Sequence, residues 1–127
     1  MIYKSISDMF VQVTDKYKTK NLYYHKVDGH WIGISGQSIR EDVESISFAI
    51  KSYNINSDSK IAIMSNNSPR WAVADYGIIC SNSTTVSIYP TLIDRQVEYI
   101  LNNSNSKIAF VEDDYQLSKV VSIWNNC

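Results

Sequence analysis

His25 and His30 are the first side chains in this sequence that could hold a metal. They flank Asp28-Gly29, and if that dipeptide turns a hairpin, Val27 pairs with His30 and His25 with Ile32, which sets both imidazoles diagonally on one face. Zinc normally takes three or four protein ligands, and no third stands beside them. Glu112-Asp113-Asp114 is an acidic run able to attract a cation; solvated loop charge, with one carboxylate near the start of the following helix, accounts for it more simply. Ser65-Asn66-Asn67-Ser68 precedes Pro69, and the free N–H groups of a helix beginning there could hold an anion. The commoner use of such residues is to cap the helix, through Ser68 or Asn67. Cys80 lies in an apolar helical pattern and reads as a small buried hydrophobe. With Cys127 as the only other cysteine, no disulfide framework is implied. No serine sits in a Gly-x-Ser-x-Gly elbow, and spacing defines no Ser/His/Asp set. The residues therefore assign no catalytic, cofactor-binding or metal-binding position.

The composition narrows the partners. The chain has 127 residues, 44% hydrophobic and 20% charged, with a formal net charge of -1, which is the composition of one globular domain rather than of a disordered segment. Lysines and arginines are scattered singly, so no basic stripe is present to neutralise a row of phosphates, and nucleic acid is excluded as a partner. Apolar runs fall far below the roughly 20 residues needed to span a bilayer, so no transmembrane segment is expected; peripheral association with a membrane stays open. The first residues carry an early acid and no secretory h-region, which makes the cytoplasm the expected compartment.

The elements follow from periodicity. Ile2, Ile6, Met9, Phe10, Val13 and Tyr17 fall on one helical stripe. Leu22–Val27 and His30–Ile34 read as hairpin strands around the Asp-Gly turn. Ser38, with Glu41 three residues on, reads as a capping box for a helix whose inner face is Ile39, Val43, Ile46, Ile50 and Tyr53. That helix should stop in the polar stretch Asn54–Ser59. From Lys60 the pattern alternates: a buried strand at Ile61–Met64, a helix from Pro69 to Ser81, a strand at Thr85–Ile88 and a helix from about Asp94 with Val97, Ile100 and Leu101 inside. A strand at Lys107–Val111 follows, then a helical stripe of Leu117, Val120, Val121 and Trp124. Strand and helix alternating over short connections specify a parallel sheet wound by crossover helices. The expected fold is thus α/β: a partial parallel sheet over about 60–127, preceded by a helix, a β-hairpin and a second helix.

Three segments carry a resemblance. Ile61-Ala-Ile-Met-Ser-Asn-Asn-Ser-Pro-Arg-Trp71 with Asp75, then Val86-Ser-Ile-Tyr-Pro-Thr91 with Gln96-Val-Glu-Tyr-Ile-Leu101, then Asn103-Ser-Asn-Ser-Lys-Ile-Ala-Phe-Val-Glu-Asp113 resemble, in order and spacing, the adenylate-forming superfamily of acyl-CoA synthetases, luciferases and peptide-synthetase adenylation domains. Tyr23–Ile34 and Ile34-Ser-Gly-Gln-Ser38 resemble its opening hairpin and the capped helix that follows. Tyr89-Pro90-Thr91 is similar to the long-chain fatty-acid branch. Asn82 and Asn105 stand where the family commonly has glycine, and asparagine is the next best residue for a left-handed backbone. Gly36 replaces a usual aromatic, which should leave a packing gap or loosen the hairpin exit. Arg70 replaces a common glutamate, an unfavourable charge for a first helical turn.

The resemblance implies the N-terminal piece of a long-chain fatty-acid–CoA ligase, with residues 1–59 a helix-hairpin-helix lead-in and 60–127 a βαβαβα unit of an incomplete AMP-binding domain. It implies fatty acid, ATP, Mg2+ and coenzyme A as substrates and cofactors of the full-length enzyme, and none bound by this piece. The family's phosphate loop, adenine and magnesium motifs, hinge and C-terminal domain would lie beyond Cys127, so this chain alone is expected to be inactive. Trp71, Tyr89 and Pro90 are expected to be structural, the alternative being that the Tyr89 loop faces the substrate side. The competing reading is a free-standing α/β module that binds a nucleotide or a protein; it requires a sheet whose edges are covered.

Overall fold

The computed structural model describes residues 2–127. They form five α-helices and two sheets in the order α1 (Ile6–Lys16), β1 (Asn21–Val27), β2 (His30–Ser35), α2 (Gly36–Ser52), β3 (Lys60–Met64), α3 (Pro69–Cys80), β4 (Thr84–Ile88), α4 (Asp94–Ser104), β5 (Ile108–Val111) and α5 (Asp114–Ile123), with a short 3-10 turn at Trp124–Asn126. This is the α/β arrangement expected from the sequence.

The hairpin β1–β2 is antiparallel and pairs Val27 with His30 and His25 with Ile32. Asp28 and Gly29 have φ of 48° and 82°, the left-handed pair that closes a two-residue turn without splaying the strands. The second sheet is parallel, in the order β4-β3-β5. Because successive strand residues face opposite ways, β3 feeds two cores. Ile61 and Ile63 pack with Ile50 of α2 and Ala74 and Ile78 of α3. Ala62 and Met64 pack with Ile88, with Val97 and Leu101 of α4, and with Val120 and Ile123 of α5. A third cluster of Phe10, Ile39, Val43 and Val73 joins α1, α2 and α3 beneath the hairpin, and Phe10 stacks on Tyr76 with ring centroids 4.5 Å apart.

Several local expectations shift. The helix α2 is capped by Ser35, not Ser38: its hydroxyl accepts from the Ser38 amide, and Glu41 accepts from the Gln37 side chain instead of reaching back. The strand β2 runs straight into the helix, so the last extended residue supplies the cap. Tyr53 at the end of α2 is exposed, as are Ile2 and Ile6 at the start of the chain; Phe10 and Thr14 form the buried side of α1. On α5 the inward face is Gln116, Lys119, Val120 and Ile123. Leu117, Val121 and Trp124 are exposed, because the helix is rotated so that Lys119 can reach the loop after β4. Asn82 and Asn105 adopt φ of 64° and 53°, as expected where glycine would be the alternative. Gly36 leaves no gap: a Cβ there would stand 2.7 Å from the Tyr17 carbonyl oxygen and 3.2 Å from Leu22 Cδ1, so backbone and side chain already fill the space beside it.

The helices α2 and α3 meet at Gly77, where a Cβ would lie 2.4 Å from Ile46 Cγ2 and 2.8 Å from its Cβ. Gly77→Ala should therefore destabilise the chain by up to about 2 kcal/mol, since overpacking of ~1–3 kcal/mol is set against a helix-propensity gain of ~1 kcal/mol. A urea-unfolding midpoint that falls checks this, and a midpoint that rises contradicts the close approach.

Candidate functional site

In an open α/β sheet, ligands bind outside the carboxyl ends of the strands, where neighbouring connections leave to opposite faces. Here α3 leaves β3 toward the α2 face, whereas α4 and α5 leave β4 and β5 toward the other. The three loops at this edge are 65–68, 89–93 and 112–113.

Each loop is held by a specific bond. Ser68 accepts from the Trp71 amide at 3.2 Å and caps α3, as the sequence suggested, and Asp113 accepts from the Gln116 amide at 2.8 Å and caps α5. Glu112 crosses the gap between β3 and β5: its Oε2 accepts from the backbone and side-chain amides of Asn66, each at 2.9 Å. The Glu112 amide itself donates to the Met64 carbonyl at 3.2 Å, extending the ladder by one residue. The acidic run is thus divided between a loop bridge, a helix cap and the first turn of α5. Among the described residues no group of three His, Cys, Asp or Glu side chains gathers where a metal could sit. His30 is exposed and His25 is half-buried.

Beside this edge lies a groove of ≈ 1460 Å³ between the hairpin, α2, the start of α3 and β5, with Tyr23, His25, Ile46, Trp71, Phe110 and Glu112 among its walls. Trp71 packs against the core shared by Ile61, Ile63 and Ala74, so its structural role holds. The Tyr89 ring, expected to be structural too, is 76% exposed and joins no core. The Nδ1 atom of His25 is shielded from solvent without a hydrogen-bond partner. Burial raises the Tyr23 phenol above its ordinary value, and the nearby Tyr76 and Asp75 act in the same direction. Burial also raises the Cys80 thiol, against a lowering hydrogen bond from Ser7 and the charges of Arg40 and Lys51. A thiol held protonated is a poor nucleophile, in keeping with the packing role read for Cys80. Thr85 donates to Asp75 at 2.6 Å, tying β4 to α3. The arrangement positions loops and provides an apolar wall.

Two residues at this edge escaped the sequence reading, Glu112 as a bridge and Lys119 as a buried cation. Glu112 bonds across 46 residues, a separation that local patterns do not register. Lys119 had one available signal: Val120 and Ile123 define an inward face on which position 119 also falls.

The sequence profile of AMP-binding enzymes matches residues 11–126. The long-chain-fatty-acid–CoA ligase FadD15 of Mycobacterium bovis is 24% identical over 102 residues, covering 80% of this chain and 17% of that protein. The long-chain-fatty-acid–CoA ligase heimdall of Drosophila melanogaster is 22% identical, covering 94% of this chain and 18% of its own length. The chain therefore spans less than a fifth of these relatives. In a crystal structure of the anthranilate CoA ligase AuaEII with anthranoyl-AMP, a segment superposes with a TM-score of 0.85 and 17% identity, over 99% of this chain and 23% of that one. Among the described residues no helix is long and apolar enough to cross a membrane.

Replacing Glu112 with alanine removes both hydrogen bonds that tie Asn66 in loop 65–68 to loop 112–113. Amide exchange at Asn66 should quicken while the β3 amides keep their protection, and stability should fall by only about 1 kcal/mol for so exposed a bond. Hydrogen exchange read by NMR checks both; unchanged exchange at Asn66 would remove the bridge from the account.

Proposed function

The chain belongs to the AMP-binding enzyme family, and we propose that it is the N-terminal portion of a ligase that activates a long-chain fatty acid as its adenylate and passes it to coenzyme A. In this reading the chain up to residue 59 is the helix-hairpin-helix lead-in and 60–127 is the βαβαβα unit on which the remaining domain assembles. The observation that carries this reading is continuity: the helix, hairpin, helix and parallel sheet follow one order along 99% of the chain in a structure of a CoA ligase. The long-chain class is supported by the names of the relatives, matched over 80% and 94% of this chain, and by the Tyr89-Pro90-Thr91 segment.

In the proposed enzyme the fatty-acid carboxylate attacks the α-phosphorus of ATP, pyrophosphate leaves, and the thiol of coenzyme A then displaces AMP. ATP with Mg2+ supplies the activated adenylyl group, and that chemistry needs preorganised donors and metal around the spreading negative charge. The described residues of this chain fit neither role, since they carry no glycine-rich phosphate loop and no gathered metal ligands. No step is therefore routed through them. Their part is to hold the wall at the carboxyl ends of β3, β4 and β5.

Two measurements test the proposal. The chain alone should show no fatty-acid-dependent exchange of pyrophosphate into ATP above a protein-free control, and measurable exchange would overturn its role as scaffold. Residues 11–126 placed in a long-chain fatty-acid–CoA ligase, in exchange for the matching segment, should yield an enzyme that still forms palmitoyl-CoA. A folded chimera that adenylates aryl acids and not fatty acids would reject the long-chain class.

A further inference from the structure

Lys119 is 7% exposed, and among the described residues no carboxylate lies within ion-pair distance of it. A buried ammonium is tolerated only where its protons are taken up. Two of them are: Nζ donates to the Pro90 carbonyl at 2.7 Å and to the Leu92 carbonyl at 2.9 Å. The face of the Tyr115 ring, with its centroid 4.9 Å away, receives the remaining field of the charge. Both carbonyls belong to the loop between β4 and α4, whose one other core anchor is the Leu92 side chain, packed on the cluster of Ala62, Met64 and Ile88. The Leu92 amide donates to the Tyr89 carbonyl at 3.2 Å, the Ile93 amide donates to Gln96 Oε1 at 3.2 Å, and Ser122 of α5 donates to Asp94 at 3.0 Å. Tyr89 and Ile93 are exposed, so side-chain packing of those two residues does not fix the loop.

We propose that Lys119 is a positioning residue: from α5 its buried ammonium clamps residues 90–92 and so holds Tyr89 as a fixed wall at the carboxyl end of β4. The clamp stands on its own geometry; that the wall faces the acyl substrate rests on the reading under Proposed function. An apolar residue could fill the same volume, but it would leave two carbonyls at the inner side of the loop without donors. A lysine serves because its compact head can turn three protons onto separate acceptors.

The test is hydrogen exchange by NMR on the 127-residue chain, with no ATP or fatty acid present, so the proposed reaction can fail without affecting the result. Lys119→Met keeps the apolar stem and removes the donors. Exchange at the Leu92 and Ile93 amides should rise by about tenfold, the equivalent of one lost charged hydrogen bond, while the Ala62 and Ile63 amides of β3 stay protected. A purely packing role predicts no local change in this variant. In a Cys80→Ala, Cys127→Ser background, Lys119→Cys should show the same loosening, and alkylation with 2-bromoethylamine, which restores an ammonium at nearly the original length, should slow the two amides again. Unchanged loop exchange in Lys119→Met, a rise spread evenly over β3 and the loop, or no recovery on aminoethylation would each overturn the clamp.

Discussion

Everything in this chain depends on the burial of β3. Ile61, Ala62, Ile63 and Met64 are each at most 1% exposed, which requires a helical layer on both faces and a strand on both sides. Full burial of the Ile61, Ile63 and Met64 side chains contributes about 1.5–3 kcal/mol each, and among the described residues no other run of four is so enclosed. The alternation then dictates the rest. Ile61 and Ile63 call α2 and α3 to one face, Ala62 and Met64 call α4 and α5 to the other, and crossovers of one hand deliver the order β4-β3-β5. The carboxyl edge of the sheet follows from this placement, since the three loops there emerge toward opposite faces.

The legible part of the fold was the part governed by local rules. The Asp28-Gly29 turn, the cap and proline opening α3, and the left-handed asparagines at 82 and 105 each satisfy a constraint within a few residues, and each is present. The strands of the parallel sheet also stood out, because a strand covered on both faces is a short apolar run bounded by turn formers. The sites of error were those where an element must choose its rotation. Leu117, Val121 and Trp124 are as apolar as Val120 and Ile123, and periodicity alone accepts either stripe of α5. Tertiary contact decides, through a lysine that finds two carbonyls on the loop after β4. The same reasoning applies to Ser35 and Ser38, both competent caps, between which the end of β2 chooses.

The candidate site was legible mainly as a location. The rule for doubly wound sheets pointed to the ends of Met64, Ile88 and Val111, and the loops there proved to be organised by long-range bonds, Glu112 to Asn66 and Lys119 to Pro90 and Leu92. Neither bond has a sequence signature. Each partner is separated by tens of residues and is chosen by which loop the folded sheet brings near. Read alone, the acidic run at 112–114 looked like solvated loop charge, which was a poor guide to the contacts of Glu112.

The surfaces left uncovered bear on the proposed role. The strands β4 and β5 are both edges, and β5 carries Ile108, Ala109, Phe110 and Val111 half-buried with no charge among them. Beside it α5 presents Leu117, Val121 and Trp124 outward. A self-contained domain usually blunts such an edge with charge, proline or a covering segment, because bare backbone donors and acceptors invite pairing with another chain. Independent modules with a three-stranded parallel sheet would be under the strongest pressure to do so, since parallel sheets are ordinarily buried on both faces and flanks. The apolar character of this edge fits the proposed role, a unit continued by further structure, better than it fits a free-standing binding module. That preference rests on the chemistry of the exposed side chains themselves and is independent of any likeness to other proteins.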